Sequence, residues 1–303
     1  MHISVPGEYA MGSITDNYNQ TVNQYLENID SRTIEYAVDT VIEFVRYANR
    51  EPKGLLDFHN GSKQPKEENY KYDVFEKAHA ALSLDKWDRS KIGSGEICKY
   101  ASDAIAFTDN LVNRHFAVPD FLNRLKDPDK QKRDKCEQAL YEIYLGDDEE
   151  KAFNDAISCF GAKYPIIAFL FFIKDRDRFL PTSPDTFDSI FNSMGLSFKM
   201  SAKCGWNNYC EFIAIIKCAQ DMLSKSGVCR HTVSLLDAHS AIWIMNYEEF
   251  KSWRKTIDDI NIPMRPKNTI YKPDGTSDYV CARCNYQFIQ TSRCPECGQL
   301  MKE

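Results

Sequence analysis

The chain has 303 residues, 43% hydrophobic and 27% charged, with a formal net charge of −6. This is the composition of a globular protein with a sizeable core, not of a disordered chain. The acidic balance excludes a protein that tracks many phosphates by bulk charge, so any contact with nucleic acid has to run through a local patch or pocket.

Residues 1–13 hold a short leader ending in a second Met-Gly-Ser at 11–13 and are set aside from fold reasoning. From Thr15 to Arg50 apolar residues recur at helical spacing (Val22, Leu26, Ile29, Ile34, Val38, Val41, Val45), predicting two helices or one kinked near Asp30-Ser31. Glu51–Asn69, with Pro52, Gly54, Gly61 and Pro65, reads as a loop, and Tyr72–Leu84 returns to helix. Ser90-Lys-Ile-Gly-Ser-Gly95 is a small-residue turn leading into a helix over Glu96–Asn113. Such a turn can offer backbone N–H groups to an anion, although it lacks the spacing of a phosphate-binding fingerprint.

Helices are expected next over Pro119–Leu125, Asp129–Tyr144 and Asp148–Cys159, the last two separated at Gly146. Tyr164–Ile173 is compatible with a buried helix or a buried strand. Ser183-Pro184 opens a helix over Asp185–Met194. Apolar-striped helices follow at Trp206–Leu223 and Thr232–Met245, then a more polar one at Glu248–Ile260. Asn261–Asp278, with Pro263, Pro266, Pro273 and Gly275, reads as a linker or docked arm. The fold class is therefore mainly α: a large helical domain over 14–260, a linker at 261–278 and a small four-Cys zinc ribbon at 279–303.

The ribbon rests on spacing. Cys281-Ala-Arg-Cys284 and Cys294-Pro-Glu-Cys297-Gly298 are separated by nine residues, with hairpin character between them. Each C-x-x-C turn aims two thiolates at one point, and two such turns complete the tetrahedron that a structural Zn²⁺ prefers. A unit this small has almost no core, so the metal supplies its folding energy. From Lys251 to Glu303 nine Lys or Arg face six Asp or Glu, and four thiolates on one Zn²⁺ bring the tail to about +1. Arg283 and Arg293, beside the ligands, either reach a phosphate or neutralise the thiolates.

The other seven cysteines (Cys98, Cys136, Cys159, Cys204, Cys210, Cys218, Cys229) are scattered without a repeated spacing, which fits free thiols in a reducing cytoplasm. No run reaches the length of a membrane span, and the N-terminus lacks a secretory pattern.

In the helical region, Asp237-Ala-His239-Ser240 and Trp243 place His239 and Trp243 on one face at i, i+4, with Asp237 and Ser240 on another. They read either as chemistry or as buried groups bonded to a neighbouring helix. Lys174-Asp-Arg176-Asp-Arg178 reads as a self-paired edge or as an anion clamp that Lys91, His115 and Lys203 would join, since guanidinium forks match phosphate. The aromatics from Phe169 to Phe212, Trp206 among them, are core, or in part a surface on which an extruded base stacks. Nuclease signatures fail: there is no H-N-H arrangement, and Glu149-Glu-Lys151 has no preceding strand.

Six strings, Ser90–Gly95, Asp109-Asn-Leu-Val112, Tyr164-Pro-Ile with Phe171-Phe-Ile-Lys-Asp175, Arg178–Phe187, Cys204-Gly-Trp-Asn-Asn-Tyr209 and Leu235–Ser240 with Trp243, resemble an uncharacterised helical region of bacterial restriction-type proteins. There it precedes an HNH nuclease module. The resemblance covers roughly Lys86 to Trp243 and transfers no catalytic residue. Here a zinc ribbon stands where the nuclease would follow, so the resemblance implies recognition or regulation in DNA restriction or phage defence rather than cutting. Two other roles stay open: a scaffold whose ribbon docks on a protein, and an enzyme acting on a nucleotide or small molecule. Candidate ligand-binding residues are Lys91, Lys174, Arg176, Arg178, Trp206, Asp237 and His239.

Overall fold

A computed structural model describes residues 15–50, 55–58, 70–261 and 264–302. The leader at 1–13 and most of the loop expected at 51–69 lie outside the described residues. Chain contacts divide the protein into two compact units, one ending at Met245 and one beginning at Asn246.

Among the described residues the regular elements of the first unit are helices. α1 (Thr15–Leu26) and α2 (Ser31–Asn49) are separate helices, because Asp30 caps α2 by accepting from the Thr33 backbone N–H and, at 2.8 Å, from its hydroxyl. The stripe Ile34, Val38, Val41 and Val45 is buried, and both helices pack on α10 (Trp206–Ser226). α3 (Tyr70–Leu82) packs on α4 (Glu96–Ile105), and α5 (Ala117–Leu125), α6 (Lys130–Leu145) and α7 (Glu149–Phe160) follow.

α4 stops well short of the expected Asn113. Its chain turns at Thr108-Asp109-Asn110, where Asp109 takes a left-handed conformation (φ 46°), and Asn113 accepts from the His115 and Phe116 N–H groups to start α5.

The ambiguous apolar run is a helix, α8 (Tyr164–Phe172), with Pro165 in its first turn. Every residue of it is buried except Pro165, so no amphipathic period marks it. α9 (Pro184–Met194) ends at Gly195 in the left-handed region, and α11 (Leu235–Trp243) packs on α10. Between α8 and α9 the chain is pinned by Tyr209, whose hydroxyl donates to the Leu180 carbonyl at 2.6 Å and accepts from its N–H at 3.0 Å. Phe153, Phe171, Phe179, Trp206, Tyr209 and Tyr18 form one aromatic cluster around this point.

The second unit holds α12 (Glu248–Asn261) and an antiparallel sheet of β1 (Asn268–Tyr271), β2 (Ser277–Val280) and β3 (Gln287–Ile289) in that order. Part of the segment expected as linker or docked arm is thus the first strand of the ribbon. Its Asp274-Gly275 pair is a hairpin turn, with Gly275 at φ 83° and a bond from the Lys272 N–H to the Thr276 carbonyl. The register sets Thr269, Tyr279 and Phe288 on one face and Ile270, Asp278 and Ile289 on the other. Bonds between Met264 and both Leu300 and Lys302 tie the two ends of the ribbon together.

Candidate metal centre and ligand pocket

The four ribbon cysteines bring their sulfurs within 4.8 Å of one another. Cys281 and Cys297 are 3.6 Å apart, as are Cys284 and Cys294. Sulfurs at about 2.3 Å around a tetrahedral metal stand roughly 3.8 Å apart, so the donor set fits a bound metal ion. The two knuckles repeat one backbone design. The Asn285 N–H bonds the Cys281 carbonyl and the Gly298 N–H bonds that of Cys294, while the Cys281 and Cys294 N–H groups reach back to Tyr286 and Gln299.

The left-handed residue is Asn285 (φ 61°) in the first knuckle and Gly298 (φ 73°) in the second, the two types that adopt it most readily. Burial raises the Cys281 thiol, but backbone N–H groups of Cys284 and Arg283 and the adjacent thiols outweigh it and bring it down to about 7. Burial pushes Cys284 up to about 12. Tyr279, Phe288 and Met301 complete a very small core around the sulfurs. Arg283 bonds Gln299, and Arg293 bonds the Gly298 carbonyl at 3.0 Å.

In the helical unit the central feature is Lys71 on α3, only 1% exposed. Its ammonium lies 3.0 Å from His239 Nδ1, 3.3 Å from Ser240 Oγ and 5.7 Å from the centre of the Trp243 ring. Burial first, and then the Lys71 charge, hold His239 well below the usual histidine range. The ring is therefore neutral: Nδ1 accepts from Lys71, and Nε2–H donates to the Pro181 carbonyl at 3.0 Å. The His239 and Trp243 rings stack as their spacing predicts, with centroids 6.3 Å apart.

Asp237 faces elsewhere. It accepts from Tyr72 at 2.8 Å, from the Ser234 N–H and hydroxyl, and lies 3.3 Å from His231 Nε2. With Ser234 it forms a reciprocal cap at the start of α11. The Ser234-Leu-Leu-Asp237 spacing carries that signature in the sequence.

Lys71 and His239 line a small pocket of about 30 Å³ together with Tyr70, Phe187 and Trp243, with Asn110 and Ser183 among its polar groups. Neither Lys71 nor this pocket is foreseen by the sequence reading. A lysine in an amphipathic helix is ordinarily solvent-facing, and nothing local marks this one as buried.

The other candidate residues do not join this pocket. Lys174 and Arg178 converge on Glu149, the first residue of α7. Lys174 lies 3.1 Å from it, and Arg178 binds both carboxylate oxygens at 2.7 and 2.6 Å while stacking on Tyr18. Arg176 pairs with Glu76 and lies over Tyr72 and Phe75. Lys91 pairs with Glu96. Trp206 is buried in the aromatic cluster. The turn at Ser90–Gly95 does bind an anion, and the anion is the chain's own. The buried Glu137 accepts from the N–H groups of Gly93 (2.6 Å), Gly95 (3.1 Å) and Cys98 (3.1 Å).

Among the described residues no helix is long and apolar enough to cross a membrane. Comparisons with protein-family models, with curated proteins and with solved structures give no match to this chain.

Proposed function

We propose that the chain is a DNA-associated recognition protein without a nuclease centre of its own, built from a helical reading domain and a zinc-folded ribbon. The observation that carries this reading is the Lys71 pocket. Its cavity, about 30 Å³, holds no more than a water or two, so a ligand would stack against its aromatic lining rather than enter it. Aromatic side chains beside a few polar groups suit stacking on an extruded base. The acidic chain also calls for a local pocket rather than a charged track.

Catalysis is disfavoured by the same geometry. Both His239 nitrogens are committed, and both Asp237 oxygens accept bonds from the fold itself. Neither is placed to take a proton from a substrate. Four thiolates on a Zn²⁺ leave it no open position, so its role is structural.

A mobility-shift titration at low salt tests the reading, using duplex with and without an unpaired base and following Trp243 fluorescence. Binding that favours the unpaired base and weakens in Trp243→Leu is expected. Absence of any shift at low salt ends the proposal.

The second reading, a scaffold that docks a protein through the ribbon, draws support from the exposed apolar side chains Ile289 (68%) and Tyr271 (81%) on the sheet. Recovery of one stoichiometric protein partner, with indifference to DNA, would favour it.

A further inference from the structure

Seven cysteines outside the ribbon look scattered in sequence, yet the fold brings two of them together. α6 and α7, joined through Gly146-Asp147-Asp148, pack on each other and present Cys136 and Cys159 across their seam. The Cys159 sulfur lies 3.4 Å from the carbonyl of Lys135, the residue before Cys136, and the Cys136 sulfur lies 3.8 Å from the Arg124 carbonyl. The first of these contacts sets the Cys159 sulfur beside the peptide that leads into Cys136. Cys136 is fully buried, whereas Cys159 is half-buried. Arg124 borders the pair, its guanidinium donating to the Cys159 carbonyl at 3.0 Å.

We propose that Cys136 and Cys159 are a redox-reactive pair, with Cys159 the sulfur that attacks hydrogen peroxide and Cys136 the sulfur that resolves it. The Cys159 thiolate displaces hydroxide from the peroxide O–O bond, forming a sulfenic acid, and the hydroxide is protonated to water. The Cys136 thiol then gives up its proton and forms the S–S bond, and the sulfenic oxygen leaves as a second water. Two electrons leave the sulfur pair and reduce the one peroxide. A dithiol reductant reverses the change.

Surroundings distinguish this pair from the other half-buried thiols. The neighbouring Cys136 thiol holds the Cys159 thiol below its usual range, with Lys135 and Arg124 helping and burial and Asp155 opposing. Burial pushes Cys204 up to about 12 and Cys229 up to about 11. Cys159 thus combines partial access with a neighbouring thiol, which the other two lack together.

The full metal-loaded chain treated with one equivalent of hydrogen peroxide, alkylated and peptide-mapped, tests the proposal. A peptide pair linked through Cys136 and Cys159, lighter by two hydrogens and released by dithiothreitol, is expected. Without peroxide, iodoacetamide should label Cys159 about tenfold faster than Cys204 or Cys229 at neutral pH. In Cys136→Ser a dimedone probe should capture the sulfenic acid at Cys159. If that variant does not fold, the wild-type link and labelling rates decide alone. Equal labelling of the three thiols, or oxidation that leaves Cys136 free, overturns the proposal.

Discussion

In the ribbon, four sulfurs meet at one point, and Tyr279, Phe288 and Met301 form the small apolar cluster around them. In the helical domain the interior is crowded with aromatic rings, and charged groups that enter it meet opposite charges or hydrogen-bond partners from elsewhere in the chain. Glu149 holds Lys174 and Arg178 from 25 and 29 residues away. Glu137 fills the turn at Gly93–Gly95 from more than 40 residues away. One unit gathers a local set of sulfurs able to hold a metal, and the other is fixed by long-range packing and internal ion pairs. A local centre writes itself into spacing, because its ligands must be near in sequence to converge; a long-range pair leaves no such trace.

The contrast can be broken most forcefully in the ribbon. Chelation, or Cys294→Ser, should cost on the order of 10 kcal/mol of metal-linked folding energy. Residues 264–302 should lose their ordered amide signals while the helical circular dichroism of the other unit persists. A global collapse would show that the units are not independent.

The helical domain should respond next most strongly to Glu149→Ala. It strands Lys174 and Arg178, all three side chains being less than a quarter exposed. Breaking such a pair costs about 3–5 kcal/mol, read as a shift in the urea midpoint. Glu137→Gln keeps the shape but places an amide N–H₂ against backbone donors that previously met a carboxylate. It should cost about 2 kcal/mol, with the effect centred on the start of α4 in hydrogen exchange.

The gentlest perturbation is pH. His239 is neutral when folded and held well below its usual range, whereas the unfolded chain protonates it near 6.5. Below that pH the unfolded state binds the extra proton, so this contribution to stability is present above 6.5 and lost as pH falls. The slope is about 1.4 kcal/mol per pH unit until the folded ring itself titrates. Chemical denaturation at pH 7 and pH 5.5 checks it, and the difference in slope should disappear in His239→Gln.

Sequence alone gave the helices that carry local punctuation: Asp30 before α2, Ser183-Pro184 before α9, Gly146 after α6. It overran at α4, where apolar residues continue past the point at which Asp109 turns the chain. It passed over two local signals, the Asp274-Gly275 hairpin of β1–β2 and the Ser234–Asp237 cap of α11. The four ribbon cysteines were legible because their spacing is their geometry. Lys71 and the Cys136–Cys159 pair were not, since their partners are set by which helices meet. The anion-binding readings of Ser90–Gly95 and of Lys174 with Arg178 had the right chemistry, and the anion in each case is a glutamate from elsewhere in the chain.

The direct test of the ribbon is native mass spectrometry with elemental analysis on protein purified without added metal, followed by amide spectra before and after chelation. One zinc per chain, with loss of ordered signals from residues 264–302 when it is removed, is the predicted result. A metal-free chain whose ribbon amides remain dispersed and protected would contradict it.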